Sequence, residues 1–215
     1  MNTRIKICGI TCDNDIRIVN KYLPDYAGFV FAESRRRVSA ETAKNLGCGL
    51  DPRIKKAGVF VDMDLEQLAE IAEKAGLGVV QLHGNETQDY IDRLRMKLYT
   101  GMQNRTQIWK AVRVSDKSSL RELSRYKADF FLTDTYVKGI QGGSGVRFDW
   151  SLLSDFEERN KIIMAGGLTP DNVNEAVSTI RPFGVDVSSG VEMDGKKSDR
   201  LVGEFIRRVR EVRTG

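Results

Sequence analysis

The side chains of this 215-residue chain that could do chemistry gather at the ends of short apolar runs. Cys8 closes the run Arg4-Ile5-Lys6-Ile7-Cys8, in which Ile5 and Ile7 bring β-branched bulk, and Gly9 then frees the backbone to turn. A thiol so placed has two uses: a base or nucleophile when ionised, a small buried hydrophobe when neutral. With a free-cysteine pKa near ~8.5 little of it is thiolate at neutral pH, so the first use requires a nearby cation or helix N-terminus. Asp134 ends a later run behind Phe130, Phe131 and Leu132. That apolar setting would raise a carboxyl's pKa until it could donate a proton near neutral pH; capping a turn or pairing with Lys138 is the other use open to it. One thiol and one carboxyl suffice as base and acid of a proton-transfer reaction.

Other reactive types recur at the same kind of position. Arg35, Arg36 and Arg37 follow the second run, Gln81 and His83 end the fourth, and Asp186 lies in the eighth, two residues before Ser188. Asp186 could turn toward a sugar or amine, or be neutralised structurally. The seventh and eighth runs end in Ala165-Gly166-Gly167 and Ser188-Ser189-Gly190, glycine-rich turns whose backbone N–H groups suit a phosphate. Thr169-Pro170 follows as an expected N-cap and first residue of a helix. The stretch from Thr135 to Gly145, with Gly142, Gly143, Ser144 and Gly145, has the length and glycine content of a lid over Asp134. His83 is the only histidine, which excludes multi-histidine metal sites, and no G-x-S-x-G elbow exists to complete a serine triad. Cys8 and Cys12 lack a second cysteine pair, so no structural zinc or other metal is expected.

Eight apolar runs position these groups: Ile5 to Cys8, Ala27 to Phe31, Ala57 to Val61, Val79 to Leu82, Ile108 to Val112, Asp129 to Thr133, Ile162 to Ala165 and Gly184 to Val187. Between them Leu65, Leu68, Ala69, Ala72 and Val173, Ala176, Val177, Ile180 keep helical spacing, as do Val202, Phe205, Ile206 and Val209 near the end. About 27 residues per unit accommodate a strand, a helix and two loops, so residues 1–215 read as a single-domain (β/α)8 TIM barrel whose strand ends share one mouth. An open doubly wound sheet is the alternative, without a G-x-G-x-x-G to support it.

Composition narrows the partners. Lys plus Arg number 34 against 30 Asp plus Glu, a net +4 too dispersed for nucleic acid. Arg207, Arg208, Arg210 and Arg213 read as the solvated face of a last helix. No apolar run approaches the ~18 residues of a membrane span. An odd three cysteines and an N-terminus without the apolar core of a signal peptide indicate a reducing, cytoplasmic setting.

The segments Lys6-Ile7-Cys8-Gly9-Ile10-Thr11, Gly58-Val59-Phe60-Val61, Val80-Gln81-Leu82-His83-Gly84, Gly142-Gly143-Ser144-Gly145 with Phe148-Asp149-Trp150, and Val185-Asp186-Val187-Ser188-Ser189-Gly190-Val191-Glu192 together resemble, end to end, the phosphoribosylanthranilate isomerases of tryptophan biosynthesis. The resemblance implies an aldose–ketose isomerase without cofactor, at the third step of the tryptophan branch from chorismate. Its reaction is an Amadori rearrangement of the phosphosugar N-(5-phosphoribosyl)anthranilate to 1-(2-carboxyphenylamino)-1-deoxyribulose 5-phosphate. Carried over by motif, Cys8 is similar to the family's general base, Asp134 to its general acid and Arg36 to its anthranilate-binding arginine. The family's Ser-Pro-Arg reads Ser34-Arg35-Arg36 here, followed by Arg37, so which arginine meets the carboxylate stays open. Monomer and homodimer both fit. The histidine-pathway isomerase performs the same rearrangement but resembles a barrel with aspartate where this chain has Cys8. A non-catalytic phosphate-binding barrel is a third reading, opposed by the joint presence of Cys8, Asp134 and Arg36.

Overall fold

Alternation along each strand decides what that strand buries, because successive side chains point to opposite faces. The structure, a computed structural model, describes residues 3–101, 106–113, 123, 125–134 and 159–212. Among these, β1 (Arg4–Cys8), β2 (Tyr26–Val30), β3 (Lys55–Phe60), β4 (Val79–Leu82), β5 (Gln107–Arg113), β6 (Phe130–Asp134), β7 (Ile162–Ala165) and β8 (Gly184–Val187) pair in parallel, each with the next. Strand β8 then returns to β1, with Lys6 opposite Asp186, so the sheet is a closed barrel and the doubly wound alternative is excluded. The lid residues Gly142, Gly143, Ser144 and Gly145, with Lys138 and Arg213, lie outside the described residues.

One face of the strands packs against the helices. Ile5, Ile7, Phe29, Phe60, Val80, Leu82, Ile108, Phe131, Met164 and Val185 are buried in one cluster with helical residues. The opposite parity fills the barrel with Tyr26, Ala57, Val79, Trp109, Ala111, Leu132, Ile163 and Ala165. Trp109 meets Tyr26 edge to face at 4.8 Å, and Phe130 stacks on Phe183 at 3.8 Å. The interior is therefore a packed core rather than a pore.

The outer helices are α1 (Asp13–Tyr22), α2 (Ala40–Cys48), α3 (Leu65–Ala75), α4 (Gln88–Gly101), α5 (Val173–Ile180) and α6 (Asp199–Glu211). Helix α3 shows why they form where they do. Asp64 accepts from the Glu66 and Gln67 amides at its start, Gly76 takes the left-handed conformation at its end, and Leu65, Leu68, Ala69 and Ala72 are buried. Burying a side chain such as Leu68 stabilises by about 1.5–3 kcal/mol. On α6, Val202, Phe205, Ile206 and Val209 are buried, while Arg207 pairs with Glu211 on the exposed face. None of the described helices is long and apolar enough to cross a membrane.

Helix α5 corrects one expectation. It begins at Val173, with Thr169 and Pro170 in the preceding turn. The Asn172 side chain braces that turn: its Oδ1 accepts from the Thr169 amide at 2.8 Å and its Nδ2 donates to the Gly167 carbonyl at 3.0 Å. Thr169 thus heads a hydrogen-bonded turn, its carbonyl accepting from the Val173 amide at 3.1 Å, and the regular helix follows that turn.

Gly58 faces the outer shell beneath the stacked rings of Phe31 and Phe60, and a Cβ there would overlap Leu77 and Phe60. Gly58→Ala should destabilise by about 1–3 kcal/mol, as overpacking does. At roughly 2–4 °C per kcal/mol for a chain of this size, thermal unfolding followed by circular dichroism will show the drop. An unchanged melting temperature would mean that the wall has slack there.

Candidate active site

Strand parity places Lys6 and Cys8 together inside the barrel, because Ile5 and Ile7 take the outer face. Room for them comes from Gly28 on the neighbouring strand, where a Cβ would stand 2.9 Å from the Cys8 sulfur and 3.1 Å from Lys6 Cε. The Lys6 ammonium, 1% exposed, donates to Asp186 Oδ1 at 2.9 Å. Its charge also acts on the Cys8 thiol and favours the ionised form. A buried ammonium persists only when paired, and the closing strand supplies its partner.

The charges act on Cys8 in both directions. Burial pushes its thiol up, Lys6 pulls it down, Asp186 pushes it up and Lys197 pulls it down, with a net rise. Burial alone would lower Lys6, but Asp186 and Cys8 outweigh it and hold the ammonium above the ordinary lysine range. The cations expected beside Cys8 are present, yet they do not overcome desolvation, so the resting site is thiol and ammonium.

A cavity of about 290 Å³ opens above this pair, lined by Cys8, Gln81, His83, Asp186 and the turns Ala165–Gly167 and Ser188–Gly190. Nine of the residues singled out in the sequence thus meet in one place: Cys8, Gln81, His83, Gly166, Gly167, Asp186, Ser188, Ser189 and Gly190. Gln81 Nε2 lies 3.1 Å from His83 Nδ1, while Gln81 Oε1 is buried without a partner among the described residues. The two glycine turns differ in cause. At Gly190 a Cβ would collide with the Leu168 carbonyl, so glycine lets the turns touch. Gly167 has φ +66° and open space where its side chain would be, which leaves its backbone bare to the cavity.

Arg36 borders a second cavity of about 300 Å³ that also takes in Gly9, Thr11, Val38, Glu192 and Lys197. Adjacent residues Cys8 and Gly9 line one cavity each, so the two flank the end of β1. Of the three arginines Arg36 is the half-buried one, its side chain 19% exposed against 60% for Arg35 and 56% for Arg37. Arg37 pairs with the exposed Glu33, and Arg36 with Glu192. Glu192, held below the usual carboxylate range by Arg36 and Lys197 despite its burial, also accepts from Lys197 Nζ at 2.8 Å.

Lys6, Glu192 and Lys197 were not among the candidates read from the sequence. A signal existed for each. Lys6 shares parity with Cys8, and Asp194-Gly195 is a strong hairpin signal. Both hairpin residues have positive φ, 51° and 78°, and β9 (Glu192–Met193) pairs with β10 (Lys196–Lys197) so that Lys197 lies opposite Glu192. A further buried pair, Lys110 with Glu86 at 3.0 Å, steadies the turn after His83, for Lys110 also donates to the Gly84 carbonyl. Asp134 ends β6, paired with Arg113 on one side and Ala165 on the other. Among the described residues no cluster of three or more His, Cys, Asp or Glu could hold a metal ion.

A family model described as N-(5'-phosphoribosyl)anthranilate isomerase matches residues 5–208. A protein of that name from Acetivibrio thermocellus is 50% identical, over 99% of this chain and 98% of its own. The phosphoribosyl anthranilate isomerase of Thermotoga maritima superposes with a TM-score of 0.84 at 36% identity, covering 98% of this chain and 100% of its own. Another such isomerase, solved in complex with reduced 1-(o-carboxyphenylamino)-1-deoxyribulose 5-phosphate, superposes at 0.81 and 34% identity, with 98% and 100% covered.

Lys6 opposes the burial of Cys8 and also screens it from Asp186, so its loss acts upward twice. In a Cys12→Ser, Cys48→Ser background, which leaves Cys8 as the one thiol, Lys6→Met should move the Cys8 titration to higher pH. Thiolate absorbance or the pH dependence of alkylation measures it. A midpoint that stays put or falls would contradict the assigned electrostatics.

Proposed function

The chain belongs to the N-(5'-phosphoribosyl)anthranilate isomerase family, and from that premise we propose that Cys8 is the base and Asp134 the acid of its reaction. The activity is the isomerisation of N-(5'-phosphoribosyl)anthranilate in tryptophan biosynthesis, an aldose-to-ketose rearrangement. In it the furanose ring oxygen takes a proton, the ring opens to an iminium, and removal of the C2 proton leaves an enolamine that becomes the ketone. One acid and one base in fixed positions are the whole chemical requirement.

The observation that supports these roles most is the place of Cys8 between two kinds of anion contact. On one side lie the glycine turns, Gly166, Gly167, Ser188, Ser189 and Gly190, assigned to the 5'-phosphate. On the other lies Arg36, assigned to the anthranilate carboxylate because it is the arginine drawn into the protein. A ligand gripped at both ends would present its sugar carbons to the thiol. Gln81, His83 and Asp186 line the same cavity and are assigned to the sugar and its amine. Burial holds the thiol protonated at rest, so Lys6 is needed as the cation that can stabilise a thiolate once Cys8 gives up its proton. Asp134 acts from the end of β6, beside the Ala165–Gly167 turn, with residues 142–145 as its lid.

The histidine-pathway isomerase and the non-catalytic barrel are not favoured, since the family match and the named relatives span almost the whole chain. We read residues 1–215 as one catalytic domain acting in the cytoplasm as a monomer or homodimer on a small phosphosugar. All three cysteines are free thiols, in keeping with a reducing setting.

Turnover is followed as loss of the anthranilate-type fluorescence of phosphoribosylanthranilate, with the next enzyme of the pathway coupled to remove product. The unsubstituted protein should turn over, and Cys8→Ser and Asp134→Asn should each lower kcat at least ~100-fold while circular dichroism stays unchanged. Near-normal kcat in either variant would remove that residue from its role.

A further inference from the structure

We propose that Glu192 is a positioning residue for Arg36: it holds one edge of the guanidinium and thereby presents the other edge to the ligand's aromatic carboxylate, an inference that rests on the isomerase reading above. A guanidinium has two edges able to grip a carboxylate by paired N–H bonds, one formed by Nε and Nη2, the other by Nη1 and Nη2. Glu192 takes the first. Its Oε1 accepts from Nε at 2.7 Å and its Oε2 from Nη2 at 2.8 Å. Among the described residues no acceptor meets Nη1, so the second edge keeps its donors for a ligand.

Glu192 is itself fixed. Lys197 Nζ donates to Oε1 at 2.8 Å, Arg35 Nη2 donates to Oε2 at 2.7 Å, and the side chain is 5% exposed. Behind it, the Asp194-Gly195 turn sets the register that faces Lys197 to Glu192, and Lys197 is anchored again on the Ser188 carbonyl at 3.1 Å. Arg36 reaches this clamp by crossing Gly9, whose φ of +84° and missing side chain leave the path open. A Cβ there would overlap Arg36 Cδ. The clamp carries three cations against one carboxylate, and the surplus positive charge suits one further anion. An unheld arginine must surrender rotamer freedom when it binds; this one has already done so.

The test is steady-state kinetics of the full chain on phosphoribosylanthranilate, with inorganic phosphate as a competing ligand that does not need Arg36. Glu192→Gln should raise KM roughly 10- to 100-fold, the value of a lost charge-assisted bond, while kcat stays within about threefold and the phosphate inhibition constant within about twofold. Glu192→Asp, which keeps the charge on a shorter arm, should fall between the two, and it carries the test alone if Glu192→Gln does not fold. Unchanged KM in a folded variant overturns the proposal. So does a parallel loss of kcat and phosphate affinity, which would mark Glu192 as merely structural. Absence of turnover by the unsubstituted protein is a separate result: it overturns the isomerase reading and this inference with it.

Discussion

The ion pair between Lys6 and Asp186 is the constraint from which the site follows. Each charge would be costly inside the barrel alone, and removing one partner of such a pair is far more destabilising than never having built it. The two residues stand opposite one another where β8 returns to β1, so the contact exists only in the closed barrel. Closure and the chemical character of the interior are therefore one event. Lys6 occupies the same face as Cys8, Gly28 makes space for both, and the thiol takes its properties from an ammonium, a carboxylate and dry surroundings that the closing strand brought together.

A second cluster, built by different means, sits on the far side of the β1 terminus. Its core is Glu192, gathered with Lys197 by a two-residue hairpin and with Arg36 across the bare backbone of Gly9. Ser188 couples the clusters: its hydroxyl donates to the Cys8 carbonyl and its own carbonyl accepts from Lys197. Cys8 and Arg36 are thus referred to one segment of backbone after β8. A ligand that spans them meets a distance the protein has already set, which is how positioning contributes to rate without new chemistry.

Much of the architecture was legible because it depends on local signals. The eight apolar runs lie within two residues of the observed strand ends, and the glycine turns after β7 and β8 do meet at the cavity with Cys8, Gln81, His83 and Asp186. What escaped was long-range or competitive. Lys6, a lysine between two isoleucines, looks like strand filler until parity assigns it to the inside. Its partner lies 180 residues away, beyond any pattern in the sequence. Glu192 was visible as the end of a motif, but its pairing with Arg36 spans 156 residues. Thr169 differs for a local reason: Thr-Pro reads as a helix start, and the geometry shows one braced turn from Thr169 to Asn172 before the regular helix begins at Val173.

The central claim is that one ligand spans both clusters with its sugar at Cys8. A crystal structure of this protein with reduced 1-(o-carboxyphenylamino)-1-deoxyribulose 5-phosphate, the compound bound by a relative, tests it directly. The account predicts the carboxylate on the Nη1 and Nη2 edge of Arg36 and the phosphate against the Gly167 and Gly190 backbone. It also predicts the Cys8 sulfur facing the sugar carbon that loses its proton. Phosphate bound away from those turns, or a carboxylate held by some group other than Arg36, would contradict it.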